Sequence, residues 1–277
     1  MIREFLKNTI FHFQKKKYIF TPIFIIGCGR SGTTILGETL SKHSEIKYLN
    51  ERRDLWHKSY PQFNIWNQDT KNPQLFASNK DINNTKSSLL KKLFFREQVI
   101  GKSSVLLEKL PINNFRLDFL NSTFPNAKYI YLRRNGLEVS SSIEKQINKR
   151  NWFSGEKESL LKKYSEKMNF KTEVETNFEK GMWEWKLSID ESNAFFNKLD
   201  NNKFIHLSYQ DFIDNTYKEL KSIFDFMNLQ YSEEFLISIS KDINRKNPSL
   251  SRIPNDNSEQ IGGDILKQSI NNTYIPF

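Results

Sequence analysis

The chain has 277 residues, which is enough for one α/β domain with a sizeable hydrophobic core. Its 42 Lys and Arg residues outnumber its 32 Asp and Glu residues, and the net charge of +10 favours anionic partners. The single cysteine excludes an intrachain disulfide and a cysteine-based zinc site, and the four scattered histidines form no metal-binding motif. We therefore expect no metal site and, because no nucleic-acid-binding signature is present, no nucleic-acid partner.

Residues 1–17 mix apolar and basic side chains, and two interpretations fit them. One is a basic amphipathic helix that lies on a membrane surface, and the other, which we favour, is a helix packed on its own domain. A signal peptide is not expected, because its apolar region would be unbroken. No apolar run has the length of a membrane span. We expect a cytoplasmic protein, with peripheral membrane association as the alternative.

Five short apolar runs alternate with segments of helical periodicity, which is typical of a parallel sheet with crossover helices. The predicted strands are Ile23–Ile26, Ile46–Leu49, Val105–Leu107, Tyr129–Leu132 and Phe204–Leu207. Apolar residues at helical spacing predict four buried helix faces, formed by Ile112, Phe115, Phe119 and Leu120; by Val139, Ile143 and Ile147; by Met182, Trp185, Ile189 and Phe196; and by Ile213, Tyr217, Leu220, Phe224 and Met227. We expect an α/β fold in three layers, with the sheet between helices.

Two segments, 60–87 and 242–277, lack clear periodicity and are rich in Asn. They are predicted to be surface insertions or loops that close over a substrate. Neither an internal repeat nor a domain boundary is evident, so residues 1–277 are predicted to form a single domain.

The most informative segment directly follows the first predicted strand. It is the glycine-rich turn Gly27-Cys28-Gly29-Arg30-Ser31-Gly32-Thr33-Thr34, which leads into a predicted helix. Such a turn curls the backbone so that N–H groups at the helix N-terminus meet an anion. The ATP- and GTP-binding version is G-x-x-x-x-G-K-[ST], but here Thr33 stands where the lysine belongs and the cation is Arg30. The turn therefore predicts nucleotide binding without the machinery that hydrolyses ATP.

A second anion-binding segment begins where the fourth predicted strand ends. Arg134 follows that strand, and Ser142 lies eight residues later in a predicted helix. Because the C-terminal ends of parallel strands share one edge of a sheet, this pair and the glycine-rich turn are expected at the same edge. The planar guanidinium of arginine pairs with two phosphate oxygens, so a second phosphate is expected there.

Together these segments resemble the sulfotransferase superfamily, whose donor substrate is 3′-phosphoadenosine 5′-phosphosulfate. The turn from Gly29 to Thr34 is similar to the family's 5′-phosphosulfate loop, and Arg134 with Ser142 is similar to its 3′-phosphate motif. A third similarity is Leu207-Ser208-Tyr209-Gln210-Asp211-Phe212, in which Tyr209 matches a tyrosine that the family often places near the adenine. The resemblance covers roughly residues 20–240. It implies transfer of a sulfuryl group to a hydroxyl acceptor, without a metal ion.

The resemblance also implies roles for individual residues. Arg30 would contact the moving sulfuryl group, and the residues Ser31, Gly32, Thr33 and Thr34 would hold the 5′-phosphate. Glu51, which lies 21 residues after Arg30, matches a glutamate that acts as the base in the tyrosylprotein branch. Lys109 matches a lysine of the same branch that assists the leaving group. From the residues alone, Glu51 could instead pair with Arg52 or Arg53, and Lys109 would be assigned to the surface.

Three departures separate the chain from the cytosolic small-molecule branch. Ile35 stands where that branch has a tryptophan, and no histidine lies near Pro111. The C-terminal Arg-Lys-Gly segment of that branch, which would clamp the 3′-phosphate, has only a faint counterpart in Arg245-Lys246. The acceptor therefore stays open among a glycan, a peptide tyrosine and a metabolite, as does the oligomeric state. The alternative functions are a P-loop NTPase or kinase and a non-catalytic nucleotide-binding protein.

Overall fold

The computed structural model describes residues 18–150, 152–153, 155–168 and 176–246, together with positions 9, 11–12, 14–15, 174, 257, 260–261 and 264. Within these residues, five parallel strands form one sheet in the order β2-β3-β1-β4-β5. The strands are β1 (Pro22–Ile26), β2 (Ile46–Asn50), β3 (Val105–Lys109), β4 (Lys128–Arg133) and β5 (Phe204–Ser208). All five predicted strands are confirmed to within two residues at each end.

The described residues also form ten α-helices, which cover both faces of the sheet. They are α1 (Thr33–Leu40), α2 (Arg53–Ser59), α3 (Asn84–Ile100), α4 (Leu117–Thr123), α5 (Gly136–Arg150), α6 (Lys157–Lys167), α7 (Asn177–Phe196), α8 (Tyr209–Asp214), α9 (Thr216–Met227) and α10 (Glu233–Lys246). Buried side chains of α2 to α7 form one hydrophobic cluster, and those of α1 and α8 to α10 form another. The predicted three-layer α/β fold is thereby confirmed.

The three central strands, β1, β3 and β4, read largely as apolar runs because they are buried on both faces. In β1, Phe24 and Ile26 belong to the first cluster, whereas Ile23 and Ile25 belong to the second. Successive side chains of a strand point to opposite faces, so one strand contributes to both cores. This arrangement fixes β1 in the middle of the sheet, with its C-terminal end beside the glycine-rich turn.

Two of the predicted helix faces differ in the structure. Ile112 and Phe115 lie in a 3₁₀ turn, Pro111–Arg116, which precedes α4. The face expected from 213 to 227 is divided between α8 and α9, and Asn215 separates these helices. Tyr217, predicted as core, is 36% exposed. Asn favours such breaks because its side chain competes for backbone hydrogen bonds.

The sequence suggested that segment 60–87 is a surface insertion or a loop that closes over a substrate. In the structure, part of this segment lies in the hydrophobic core. Tyr60, Phe63, Ile65, Leu75 and Ala77 are buried in the first cluster. The pattern was missed because these apolar side chains follow no helical or strand period. They anchor a stretch of irregular backbone that lies beside the 3₁₀ turn preceding α4.

The two ends of the chain are only partly described. Helix α10 continues to Lys246, so the prediction of an irregular segment from residue 242 is wrong for residues 242–246, and most of the remaining segment lies outside the described residues. Of residues 1–17, Phe11 places its ring edge-on to Phe95 of α3, with 5.6 Å between the ring centroids. This contact fits the favoured packing on the domain. Among the described residues, no helix is long and apolar enough to cross a membrane.

Candidate active site

The glycine-rich turn joins the C-terminal end of β1 to the N-terminus of α1. Gly32 precedes α1 with a φ of 94°, and Arg30 has a φ of 72°. Both values lie in the left-handed region, which a non-glycine residue seldom adopts and which is often found at functional sites. The first-turn N–H groups of α1 lack partners within the helix by its geometry, so this terminus is suited to an anion.

The turn buries some of the predicted phosphate-binding side chains and leaves others accessible. Ser31 and Thr33 are buried, Thr34 is half-buried and Arg30 is exposed. The N–H of Gly27 donates to Oδ1 of Asn114 over 3.0 Å, which ties the turn to the segment after β3. The start of the turn is thus held by the segment after β3, while Arg30 is exposed to solvent.

The second predicted segment meets the turn directly. Nε of Arg30 donates to Oγ of Ser142 in α5 over 3.0 Å. Nη1 of Arg134 donates to the carbonyl oxygen of Arg30 over 3.2 Å. Two arginines and a hydroxyl therefore converge at this sheet edge, as the strand order requires.

Tyr209 closes this side of the site. The guanidinium carbon of Arg134 lies 4.3 Å from the centroid of the Tyr209 ring, and Nε of Arg134 donates to Oε2 of Glu138 over 2.7 Å. A Cβ atom at Gly32 would overlap the same tyrosine ring. Gly32 is thus required both for its backbone conformation and for the close approach of Tyr209.

On the other side of the turn, Lys109 at the end of β3 lies between Glu51 and Thr34. Its Nζ donates to Oε1 of Glu51 over 2.8 Å and to Oγ1 of Thr34 over 2.9 Å. Lys109 is fully buried, so its assignment to the surface from the residues alone is wrong. Its charge stays in the fold because it is paired and hydrogen-bonded.

Glu51 itself adopts a φ of 50° and also accepts a hydrogen bond from Nη2 of Arg53 over 2.8 Å at Oε2. Partial burial raises the pKa of Glu51, but the charges and hydrogen bonds of Lys109 and Arg53 outweigh it and hold the pKa below its usual 4.5. The pairing with Arg53, considered as an alternative to a catalytic role, is therefore present together with the pairing to Lys109. Glu51 is ionised at neutral pH.

Comparison with known proteins decides the family. Residues 22–233 match the model of the sulfotransferase family. The chain belongs to this family. The match spans the turn, both partners of Lys109, and the segment around Tyr209.

Curated relatives carry sulfotransferase names, and solved structures share the fold. A Caenorhabditis briggsae protein, provisionally named a protein-tyrosine sulfotransferase, is 23% identical over 84% of this chain and 76% of its own length. Protein-tyrosine sulfotransferase A of Caenorhabditis elegans is 31% identical over 44% of this chain and 32% of its own. Sulfotransferase STF9 from Mycobacterium avium shares the fold with a TM-score of 0.53 and 12% identity, covering 94% of this chain and 79% of its own. The sulfotransferase domain of the curacin biosynthetic pathway gives 0.51 and 17%, covering 89% and 97%.

Sequence reasoning missed a second carboxylate in this sulfotransferase. Glu108, next to Lys109, is fully buried and accepts hydrogen bonds from Nε1 of Trp56 over 3.1 Å and Nδ2 of Asn113 over 2.8 Å. Burial raises its pKa to about 8, so Glu108 is largely protonated at neutral pH. A protonated Glu108 carries no charge to pair with Lys109, so the ionised carboxylate that pairs with Lys109 is that of Glu51. The available signal in the sequence for this buried carboxylate was an acidic residue directly after the apolar run 105–107.

A cavity of about 680 Å³ lies elsewhere in the sulfotransferase, between segment 73–81, α4, α6 and the C-terminal half of α7. Its walls include Phe115, Tyr164 and Glu191 but none of the predicted site residues. This cavity is therefore separate from the predicted site residues at the sheet edge.

Proposed function

We propose that this sulfotransferase moves a sulfuryl group from 3′-phosphoadenosine 5′-phosphosulfate to the hydroxyl of an acceptor. The observation that carries the proposal is the joining of two anion-binding segments through Arg30, which contacts both Ser142 and Arg134. A donor with phosphates at two separate places needs two such segments, whereas ATP needs only the first.

On the donor side, the backbone and hydroxyl groups from Ser31 to Thr34 would hold the 5′-phosphate at the N-terminus of α1. Arg134 and Ser142 would hold the 3′-phosphate, and Tyr209 would lie beside the adenine. Glu138 fixes the guanidinium of Arg134, which limits the freedom that this side chain loses on binding.

On the reaction side, Arg30 would stabilise the charge on the moving group, and Lys109 the charge on the leaving phosphate. The bond between sulfur and the bridging oxygen of the donor breaks, and a bond between sulfur and the acceptor oxygen forms. The acceptor proton passes to Glu51, and the products are a sulfate ester and adenosine 3′,5′-bisphosphate. Lys109 contacts both Glu51 and Thr34, so the base lies two hydrogen bonds from the donor loop.

The names of the relatives make a tyrosine-containing peptide the first acceptor to test. A glycan and a small metabolite are the further acceptors in the proposal. The cytoplasm is the proposed compartment, in keeping with a chain that has one cysteine.

The proposal is tested by calorimetric titration with adenosine 3′,5′-bisphosphate, with and without magnesium, and separately with ATP plus magnesium. We expect binding of the bisphosphate that does not depend on magnesium, and weaker binding of ATP. A preference for ATP with magnesium would contradict the proposal and indicate a kinase or NTPase. Transfer of labelled sulfate from the donor to a tyrosine peptide would then identify the acceptor class.

A further inference from the structure

Trp152, in the connection between α5 and α6, lies directly on the donor loop. A Cβ atom added to Gly29 would lie 2.6 Å from Cζ2 and 2.8 Å from Cη2 of Trp152, and 3.8 Å from Cβ of Pro111. The indole therefore fills the space that a side chain at position 29 would occupy. Gly29 immediately precedes Arg30, so the ring bears on the part of the loop that carries this cation.

The indole is fixed from beneath by two charged residues. Its Nε1 donates to Oε2 of Glu184 in α7 over 2.6 Å. Nζ of Lys157 pairs with Oε1 of the same carboxylate over 2.6 Å and lies 4.3 Å from the centroid of the Trp152 ring. The side chains of Lys157 and Glu184 are each only 4% exposed. A buried ion pair of this kind does not by itself favour stability, which suggests another reason for it.

The same connection also reaches the reaction side of the site. The N–H of Glu156 donates to the carbonyl oxygen of Ile65 over 3.4 Å, and Gly155 packs against Ile65 and Trp66 so closely that a Cβ would lie 2.6 Å from that oxygen. Trp66 in turn stacks on Arg53, whose guanidinium carbon lies 3.7 Å from its ring centroid.

Arg53 completes the path, because it donates to Glu51 over 2.8 Å. The described residues of 152–157, here called the strap, thus contact the donor loop through Trp152 and are linked to Glu51 through Trp66 and Arg53. The strap, which connects α5 to α6, therefore links the donor loop to Glu51 by a route outside the sheet.

We propose that Trp152 is a positioning residue, locked by Glu184 and Lys157, and that the strap sets the separation between the group held at Arg30 and the carboxylate of Glu51. The inference rests on the proposed function, because it assigns these two residues to opposite ends of one transfer. In-line transfer is sensitive to such a separation, since a misplacement of about 1 Å can reduce the rate about a hundredfold.

The first test compares Trp152→Ala and Trp152→Phe with a matched control, Trp183→Phe. Trp183 belongs to the same first hydrophobic cluster against which Trp152 packs, and its Nε1 donates to Oγ of Ser165 over 2.8 Å, outside the strap. We expect Trp152→Ala to lower kcat roughly tenfold to a hundredfold, with bisphosphate affinity changed less than about threefold. Trp152→Phe keeps the ring and is expected to recover most of kcat, and Trp183→Phe to leave it unchanged. Equal losses in kcat and in bisphosphate affinity would contradict a positioning role.

A double-mutant cycle tests the contact itself. Gly29→Ala introduces the methyl group that would collide with Trp152, so we expect it to lower kcat in the wild-type background. In the Trp152→Ala background the space is open, and the same change is expected to have a smaller effect. Equal effects in both backgrounds would show that the ring does not bear on the loop.

A readout without turnover separates this inference from the proposed function. Hydrogen exchange of the amides in 27–34 and 51–53 is expected to be faster in Trp152→Ala than in both the wild type and Trp183→Phe. A wild type that prefers ATP with magnesium to the bisphosphate overturns the function and leaves this comparison valid. Unchanged exchange in both segments overturns the strap, whether or not sulfate is transferred.

Discussion

Single residues of the site differ in how their charge is held. Glu51 is ionised because Lys109 and Arg53 offset the burial of its carboxylate. Lys109 is fully buried, whereas Arg30 reaches solvent. A buried lysine can change its partner without leaving the site, and the arginine stays charged throughout. In the proposed transfer, Lys109 would shift from Glu51 toward the leaving group, and Arg30 would remain with the anion.

Glu51→Gln is expected to lower kcat at least about a hundredfold while bisphosphate affinity stays within about threefold, because the amide cannot accept the acceptor proton. Since the pKa of Glu51 is below 4.5, the active carboxylate persists as pH falls through the neutral range. The acid limb of the wild-type rate profile is therefore expected below 4.5. Steady-state kinetics at several pH values measures both effects.

The control is Glu45→Gln, which changes an exposed carboxylate bonded to Ser104 outside the site. It should leave kcat unaltered. Full turnover by Glu51→Gln would exclude Glu51 as the base.

Arg134→Ala is expected to weaken bisphosphate binding about tenfold to a hundredfold, which is the range for loss of one or two charge-assisted hydrogen bonds. The melting temperature should change little, because Arg134 is half-buried, its bond to Glu138 is local and its bond to the carbonyl oxygen of Arg30 is exposed. Calorimetry and a thermal scan provide the two measurements.

Lys42→Ala removes the same charge from a site paired with Asp242 and should change affinity less than about threefold. Similar losses in both variants would mean that net charge, rather than a second phosphate site, governs binding.

At the scale of elements, Arg116 explains why the irregular backbone of 60–87 keeps its place. Its guanidinium is fully buried and donates to the carbonyl oxygens of Phe63, Gln74 and Leu75 over 2.9, 2.7 and 2.9 Å. Burial lowers the pKa of Arg116 to about 9, so Arg116 is charged at neutral pH. One side chain supplies the hydrogen bonds that a regular helix or strand would otherwise provide.

Arg116→Met is expected to reduce the free energy of unfolding by about 3 kcal/mol, because three buried carbonyl groups lose their donor. Urea denaturation measures the loss. Lys128→Met is the matched control, since Lys128 donates to a single carbonyl, that of Phe226, and should cost about 1 kcal/mol or less. Equal losses in both variants would contradict the role of Arg116 as an anchor.

For the whole molecule, the sequence predicted the strands, the family and the grouping of site residues at one sheet edge. Apolar runs such as 23–26 are local signals, and a parallel sheet brings their C-terminal ends together. The burial of Lys109, the left-handed backbone of Arg30 and Glu51, and the contact of Trp152 with Gly29 could not be predicted. Each depends on which distant segments pack together, and residue spacing along the chain does not contain that information.

The strand order places the residues proposed for the transfer and those proposed for donor binding on opposite sides of β1. With β1 in the middle, the proposed base Glu51 and Lys109 lie at the ends of β2 and β3, and the residues proposed to hold the 3′-phosphate and the adenine follow β4 and β5. Mutations that change acceptor preference can therefore accumulate on one side of β1 while the other side continues to bind the same donor. Such a partition lets acceptor preference evolve while donor recognition is kept, except at the strap, where a change on one side would also reach the other.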